Sequence, residues 1–185
     1  MGKNHLPLMA ALLLTATTAL SAAEVNPKQG VAAKAVQQLG QEMRKKLVDS
    51  MQKNGAAGAI DVCAKDAPII SSRIENELGV TIKRTSLKLR NPQNAPDAAE
   101  KELLENLAAA HKAGEKLPSG VAVFPSDPRR FFKVITMEQA CLKCHGDLKT
   151  VSEAVRKEVA ATYPEDKAVG YQEGDLRGII SVTVK

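Results

Sequence analysis

The chain has 185 residues, with 26 Lys and Arg against 21 Asp and Glu, and it contains only three Phe, two Tyr and no Trp. A composition of 44% apolar and 25% charged residues excludes wholesale disorder, and the length allows one domain. Three cysteines are too few for a disulfide scaffold, and their odd number leaves one thiol to be explained.

The N-terminus is typical of a secretory signal peptide over Met1 to Ala23. Lys3 supplies the positive start, Leu6 to Ala19 is an apolar to weakly polar run, and Ser21-Ala22-Ala23 offers small residues for cleavage. The run is shorter than the roughly 20 residues of a membrane span, which favours a cleaved signal peptide. The alternative is that the segment is not cleaved and anchors the protein in the membrane. No cysteine follows it, which excludes a lipoprotein anchor. We therefore expect residues 24–185 to form a single domain that is free in the bacterial periplasm.

Export decides how the formal net charge of +5 is interpreted. The positive charges are spread along the chain rather than gathered in one run, and no nucleic-acid recognition motif occurs. Since the periplasm offers no nucleic acid, the charge favours a solvated surface that meets acidic partner proteins. No membrane span is expected after the signal is cleaved.

The first half of the mature chain predicts two helices. In the first, over residues 28–53, apolar side chains recur at every fourth position: Leu39, Met43, Leu47 and Met51. The stretch Gly55 to Gly58 is expected to break this helix. The second, over residues 59–78, places one apolar face at Ile60, Cys63, Ala67, Ile70 and Ile74 and ends at Gly79.

The second half predicts short strands and two more helices. Alternating apolar and polar residues indicate strands over residues 80–85, 121–124, 130–136 and 180–184. Residues 91–96 form a loop, Asp97 caps a helix that reaches Lys112, and a last helix covers residues 151–162. Because no strand–helix–strand series develops, the pattern favours an α+β fold with an antiparallel sheet.

The most informative stretch is Cys141-Leu142-Lys143-Cys144-His145. This C-x-x-C-H spacing is the attachment signature of c-type haem. Two thiols one helical turn apart can form thioethers with the two haem vinyl groups, and the adjacent imidazole can then bind the iron. The sequence therefore predicts one covalent haem c, linked through Cys141 and Cys144, with His145 as the proximal ligand.

Two other uses of these cysteines are less well supported. A thioredoxin-like dithiol of Cys141 and Cys144 leaves His145 unexplained and lacks the expected strand–helix–strand opening. A Cys3His zinc site would need Cys63 and His111 beside the pair, but the sequence has only one C-x-x-C knuckle.

The residues alone leave several candidates for the second axial ligand of the iron. Cys63 is the odd thiol, and it would be buried or coordinated in an oxidising compartment, although a buried free cysteine is also common. The other candidates are His111, a methionine or an open position, the methionines being Met43, Met51 and Met137.

Several segments together resemble a family of monohaem c-type cytochromes with a PAS-like fold and cysteine/histidine ligation, long catalogued as a domain of unknown function. The matching segments cover most of the mature chain and are Asp61 to Ala64, Val80 to Lys88, Arg90 to Asp97, Cys141 to Gly146, Gly170-Tyr171 and Gly174 to Gly178. The resemblance implies an antiparallel sheet flanked by helices and a covalently bound c-type haem. It also implies that Cys63 is the distal thiolate ligand.

A haem with His145 and Cys63 as ligands is expected to have a low potential, because an anionic thiolate favours ferric iron. We expect electron transfer with a partner protein, and the chain shows no output module after its last strand. The alternative is a redox or gas sensor in which Cys63 leaves ferrous iron to NO or CO. A six-coordinate iron and the lack of an acid–base cluster argue against an enzyme.

Basic residues around the 91–96 loop are candidate partners for the two haem propionates. Arg84 and Arg90 are the main candidates, and Lys83 and Lys88 are close in sequence. A solvated basic edge explains them equally well. Tyr171 and either Phe131 or Phe132 could pack on the porphyrin, or fill the core.

Overall fold

A computed structural model describes residues 26–185. The signal peptide predicted over Met1 to Ala23 lies outside the described residues. Within them, no helix combines the length and the apolar character that crossing a bilayer demands.

The described part begins with helices whose ends follow local sequence signals. Helix α1 spans Pro27–Gly58. Asn26 is its N-cap, and the Asn26 side chain accepts a hydrogen bond from the Lys28 N–H at 3.0 Å. A π-helical turn, Val62–Asp66, leads into α2, Ala67–Leu78. Gly79 ends α2 with a left-handed φ of 64°, which a glycine adopts without steric cost.

Four antiparallel strands form one sheet in the order β1-β4-β3-β2. They are β1 (Val80–Thr85), β2 (Val121–Phe124), β3 (Asp127–Thr136) and β4 (Leu176–Val184). The central register pairs Phe131 with Val182, and a bulge between Ile135 and Thr136 shifts the register before the last β3–β4 pair, Thr136 with Leu176. Between the strands lie α3 (Ala98–Lys112), α4 (Leu142–His145), α5 (Glu153–Thr162) and a short 3-10 turn at Pro92–Asn94.

Helices cover both faces of the sheet because strand side chains alternate in direction. One face packs on α1 and α2 through Leu39, Ile74, Phe131 and Val182. The opposite face packs on α3 through Leu104, Phe132 and Ile179. The α+β class, the antiparallel sheet and its flanking helices are thus confirmed.

The element boundaries differ from the prediction in several places. Helix α1 is not ended by Gly55 but kinked there, with φ 70° and ψ −177°. The helix expected over residues 59–78 contains the π-helical turn, and β3 and β4 begin earlier than expected, at Asp127 and Leu176. Pairing with a neighbouring strand extends β3 and β4 into residues whose own pattern does not alternate.

Candidate functional site

The C-x-x-C-H segment begins a few residues after the end of β3 at Thr136. The Met137 N–H donates to the Asp175 carbonyl at 2.9 Å, and the Gly174 N–H donates back to the Met137 carbonyl at 2.8 Å. A 3-10 turn over Gln139–Cys141 then leads into α4. The sheet thus anchors one end of the segment.

Its other end is held by a short strap. The Tyr171 N–H donates to the His145 carbonyl at 3.0 Å, and the Gly170 N–H donates to the Gly146 carbonyl at 2.9 Å. Any Cβ at residue 146 would lie 2.6 Å from the Leu142 carbonyl oxygen, so the backbone closes here only with glycine. The two anchors fix the direction of the His145 side chain.

The imidazole of His145 is held in one orientation. Its Nδ1 lies 2.7 Å from the Ala168 carbonyl oxygen, which can only accept, so Nδ1 carries the proton and Nε2 presents a lone pair. The Tyr171 ring packs edge-on at 6.4 Å between centroids. Burial, assisted by the nearby Arg90 and Arg177 charges, lowers the pKa of His145 to about 3, so the ring stays neutral near pH 7.

Arg90 is buried beside this imidazole. Its Nη2 donates to the Cys144 carbonyl at 2.7 Å and to the Asp166 carboxylate at 3.0 Å, and its Nη1 lies 3.5 Å from His145 Nε2. Both Arg90 and Asp166 side chains are at most 8% exposed. The guanidinium therefore holds the end of α4 against residues 166–168.

The two cysteines of the motif lie in different apolar surroundings. Cys144 packs against the cluster of Ile60, Val155 and Tyr163, and burial raises the pKa of its thiol. Cys141 packs against a second cluster, formed by Met137, Ala168 and Tyr171. Both are half-buried free thiols, as is Cys63.

Cys63 lies in the π-helical turn that follows the kink at Gly55. Its neighbour Ala64 packs on the same apolar cluster as Cys144. Cys63 is also close enough that its charge raises the pKa of Cys144, in addition to the larger effect of burial. The fold therefore brings Cys63 near the motif across about 80 residues of sequence.

The other candidate metal ligands, His111 and the methionines, lie in different parts of the fold. His111 lies on α3, across the sheet from the helices that carry Met43, Met51 and Cys63, so the fold does not assemble the Cys3His set. No group of three potential metal-binding His, Cys, Asp or Glu residues occurs within residues 26–185. Met137 is buried beside Cys141.

Most of the basic residues considered as partners for the haem propionates contact other groups of the protein. Lys83 pairs with Glu100 at 2.8 Å, the Lys88 ammonium contacts the Val169 carbonyl, and Arg90 pairs with Asp166. Arg84 is half-buried on β1 and makes no side-chain hydrogen bond to residues 26–185. The Phe131 and Phe132 rings belong to the two sheet cores.

Sequence reasoning missed Asp166 and Ala168, which complete the surroundings of His145. Both follow Pro164 in an irregular stretch, and no periodicity or spacing in the sequence connects them with the motif. Their role depends on a backbone carbonyl and on one long-range ion pair.

Comparison with known proteins places the chain in a family. The Tll0287-like family model matches residues 16–185. The chain belongs to this family. The crystal structure of the cyanobacterial heme-protein Tll0287 is similar with a TM-score of 0.62 and 26% sequence identity, covering 86% of this chain and 96% of that one. No curated protein sequence is significantly similar. The family resemblance inferred from the motifs is thereby confirmed.

Proposed function

We propose that this protein is a periplasmic monohaem c-type cytochrome that transfers electrons, with Cys141 and Cys144 as thioether links and His145 and Cys63 as iron ligands. The similar solved protein is described as a heme-protein, and family membership supports the same cofactor here. The observation that carries the proposal is the His145 tautomer, because its proton is held by Ala168 O at 2.7 Å on the side away from Nε2.

The donor set fits a c-type haem. A neutral imidazole offers its Nε2 lone pair, two free thiols lie on one turn beside it, and a third free thiol lies close by. Iron coordination at Nε2 would replace the 3.5 Å contact with Arg90, whose other hydrogen bonds can remain. Bound haem would supply a one-electron ferric/ferrous couple.

The chain's own residues would set the properties of that couple. The Cys63 thiolate, as an anionic ligand, favours the ferric state and lowers the potential. The Ala168 carbonyl polarises the imidazole and increases the basicity of Nε2. The apolar clusters around Cys141 and Cys144 limit the access of water.

Covalent attachment is tested by expressing the full chain with a working c-type maturation system. We expect the protein mass to increase by one haem and the colour to remain in the protein after acid–acetone extraction. The double variant Cys141→Ser/Cys144→Ser should carry no covalent haem. Wild-type protein that matures without cofactor would overturn the proposal, and periplasmic fractionation of the same culture tests the location.

The Cys63 assignment is tested by electron paramagnetic resonance of the ferric protein. We expect low-spin thiolate signals that become high-spin in Cys63→Ser. Lys65→Gln is the matched control, since Lys65 lies in the same π-helical turn but is exposed, and this variant should leave the signals unchanged. Identical signals in Cys63→Ser and wild type would reassign the distal position, with His111 the next variant to measure.

The structure also favours a second candidate, a redox or gas sensor. Cys63 lies in a π-helical turn just after a kinked glycine, and π-helical turns occur often at functional sites. In this alternative, the Cys63 thiolate would hold a ferric haem but would take up a proton and leave it on reduction, and the reduced haem would then bind CO or NO.

Carbon monoxide separates the two candidates. If Cys63 stays bound in both oxidation states, the spectrum of the reduced protein does not change under CO at neutral pH, and electron exchange with an acidic redox partner is fast. A CO-bound spectrum together with slow, gated exchange would favour the sensor.

A further inference from the structure

A cavity of about 340 Å³ lies between α3 and the start of β4, on the α3 side of the sheet. Pockets of this size accommodate small organic molecules. Its apolar wall comes from Leu104 and Ala108 of α3 and from Leu176 of β4. Tyr171 separates this cavity from His145, since its ring also packs edge-on against the imidazole.

Two cations, Lys88 and Arg177, also line this cavity. The Arg177 guanidinium donates to the Lys88 carbonyl at 3.2 Å and lies 5.6 Å from the centre of the Tyr171 ring. The Lys88 ammonium lies 4.3 Å from the centre of that ring. Both side chains therefore gather around one aromatic ring at the cavity surface.

Arg177 differs from most arginines in the described part of the chain. Five others form an ion pair with a carboxylate: Arg44, Arg73, Arg90, Arg129 and Arg130. Arg177 is half-buried and forms none with residues 26–185, and burial lowers its pKa. A half-buried guanidinium without an ion pair of its own would gain from an anion bound in the cavity.

The acidic residue of the lining does not fill this role. The Asp175 carboxylate accepts a hydrogen bond from the Gln172 N–H at 2.7 Å and makes no ion pair within residues 26–185. The cavity thus combines an apolar wall with a guanidinium whose carboxylate partner is missing.

We propose that this cavity binds a free small carboxylate with an aliphatic chain, with Arg177 holding the carboxylate, Lys88 adding charge, and Leu104, Ala108 and Leu176 contacting the chain. The cavity adjoins His145 through the Tyr171 ring, but none of the proposed haem ligands is among the residues that line it. A guanidinium can bind a carboxylate through two parallel hydrogen bonds, which gives selectivity over neutral molecules of the same length.

The test is isothermal titration of the haem-loaded full chain with hexanoate and, separately, with 1-hexanol. Hexanoate should bind and 1-hexanol should not. Arg177→Gln should weaken hexanoate binding by about tenfold or more, since a charge-assisted hydrogen bond contributes about 1.5–3 kcal/mol. Ala108→Leu should abolish binding by filling the cavity without removing charge.

Arg156→Gln is the matched control, because Arg156 also lacks a carboxylate partner in the described part of the chain but binds the Leu148 and Val151 carbonyls far from the cavity lining. It should leave the affinity unchanged, and circular dichroism establishes that each variant is folded. Equal affinity for hexanoate and 1-hexanol, equal affinity of Arg177→Gln and wild type, or no hexanoate binding to loaded protein would each overturn the proposal.

Discussion

Arg130 and Arg90 are both largely buried arginines that bind a buried carboxylate, but their surroundings differ. Arg130 donates to Glu100 at 3.0 Å and to Asp97 at 3.0 Å, so it connects β3 to the first turn of α3. Arg90 connects two irregular segments and contacts the imidazole of His145. We call Lys83, Asp97, Glu100 and Arg130 the structural charge cluster, and Arg90, His145 and Asp166 the site charge cluster.

The comparison shows that two buried arginine–carboxylate pairs have different structural roles. In the structural charge cluster, every partner lies on a strand or at a helix start, and Glu100, 1% exposed, also completes the capping box of α3. In the site charge cluster, Arg90 donates to backbone carbonyls that no regular element satisfies. The first cluster stabilises the fold, whereas the second holds the segments around the His145 imidazole together.

Arg90→Gln should have the largest effect. It leaves the Asp166 carboxylate buried without a cation, which we expect to lower the free energy of unfolding by about 4 kcal/mol. It should also change the ferric absorption spectrum, since the residues around His145 are no longer held together. Urea unfolding and the spectrum are measured on the same sample; an unaltered spectrum would place Arg90 with the structural cluster.

Glu100→Gln should destabilise somewhat less, by about 3 kcal/mol, because Arg130 keeps its ion pair with Asp97. The ferric spectrum should not change, since no member of the structural charge cluster contacts His145. Glu105→Gln removes only an exposed pair with Lys101 at 3.8 Å and should cost less than about 0.5 kcal/mol. A spectral change in Glu100→Gln would remove the distinction between the clusters.

Gly55→Ala and Gly79→Ala compare two glycines with positive φ, one near Cys63 and one away from the site. Gly55 has φ 70° and ψ −177°, a conformation that costs other residues about 1–3 kcal/mol, so we expect a loss near 2 kcal/mol. The spectrum should also change, because the kink precedes Cys63. Gly79→Ala, at the end of α2, should cost about 1 kcal/mol and leave the spectrum unaltered. Equal spectra in both variants would show that the kink does not position Cys63.

Asp97→Ala should have the smallest effect, about 1 kcal/mol at pH 7, through loss of the helix cap. Burial by itself would raise the pKa of Asp97, but hydrogen bonds from the Glu100 N–H and from Arg130 outweigh it and lower that pKa below its ordinary value. The charged form therefore stabilises the fold above pH 3.8 and loses this effect as the pH falls further.

Urea unfolding at pH 7 and pH 3 measures this dependence. The difference in the free energy of unfolding between wild type and Asp97→Ala should be smaller at pH 3 than at pH 7. Asp49→Ala, on the exposed side of α1, should show no such narrowing. A constant difference for Asp97→Ala would mean that its charge does not contribute.

Local signals in the sequence determined much of this protein. The cap at Asp97, the glycine at residue 79 and the alternation along residues 80–85 each act over a few residues, so the elements they predict are present. The C-x-x-C-H spacing likewise needs only one helical turn to bring Cys141, Cys144 and His145 together.

Only the tertiary structure decided what surrounds those three residues. The proton on His145 Nδ1 is assigned by a carbonyl 23 positions away, and Arg90 meets Asp166 across 76 positions, through contacts that carry no periodic signal. The π-helical form of the Cys63 turn and the cavity beside Arg177 likewise arise from packing between distant segments. Such contacts depend on which surfaces meet, and that is a property of the whole fold rather than of any single stretch of sequence.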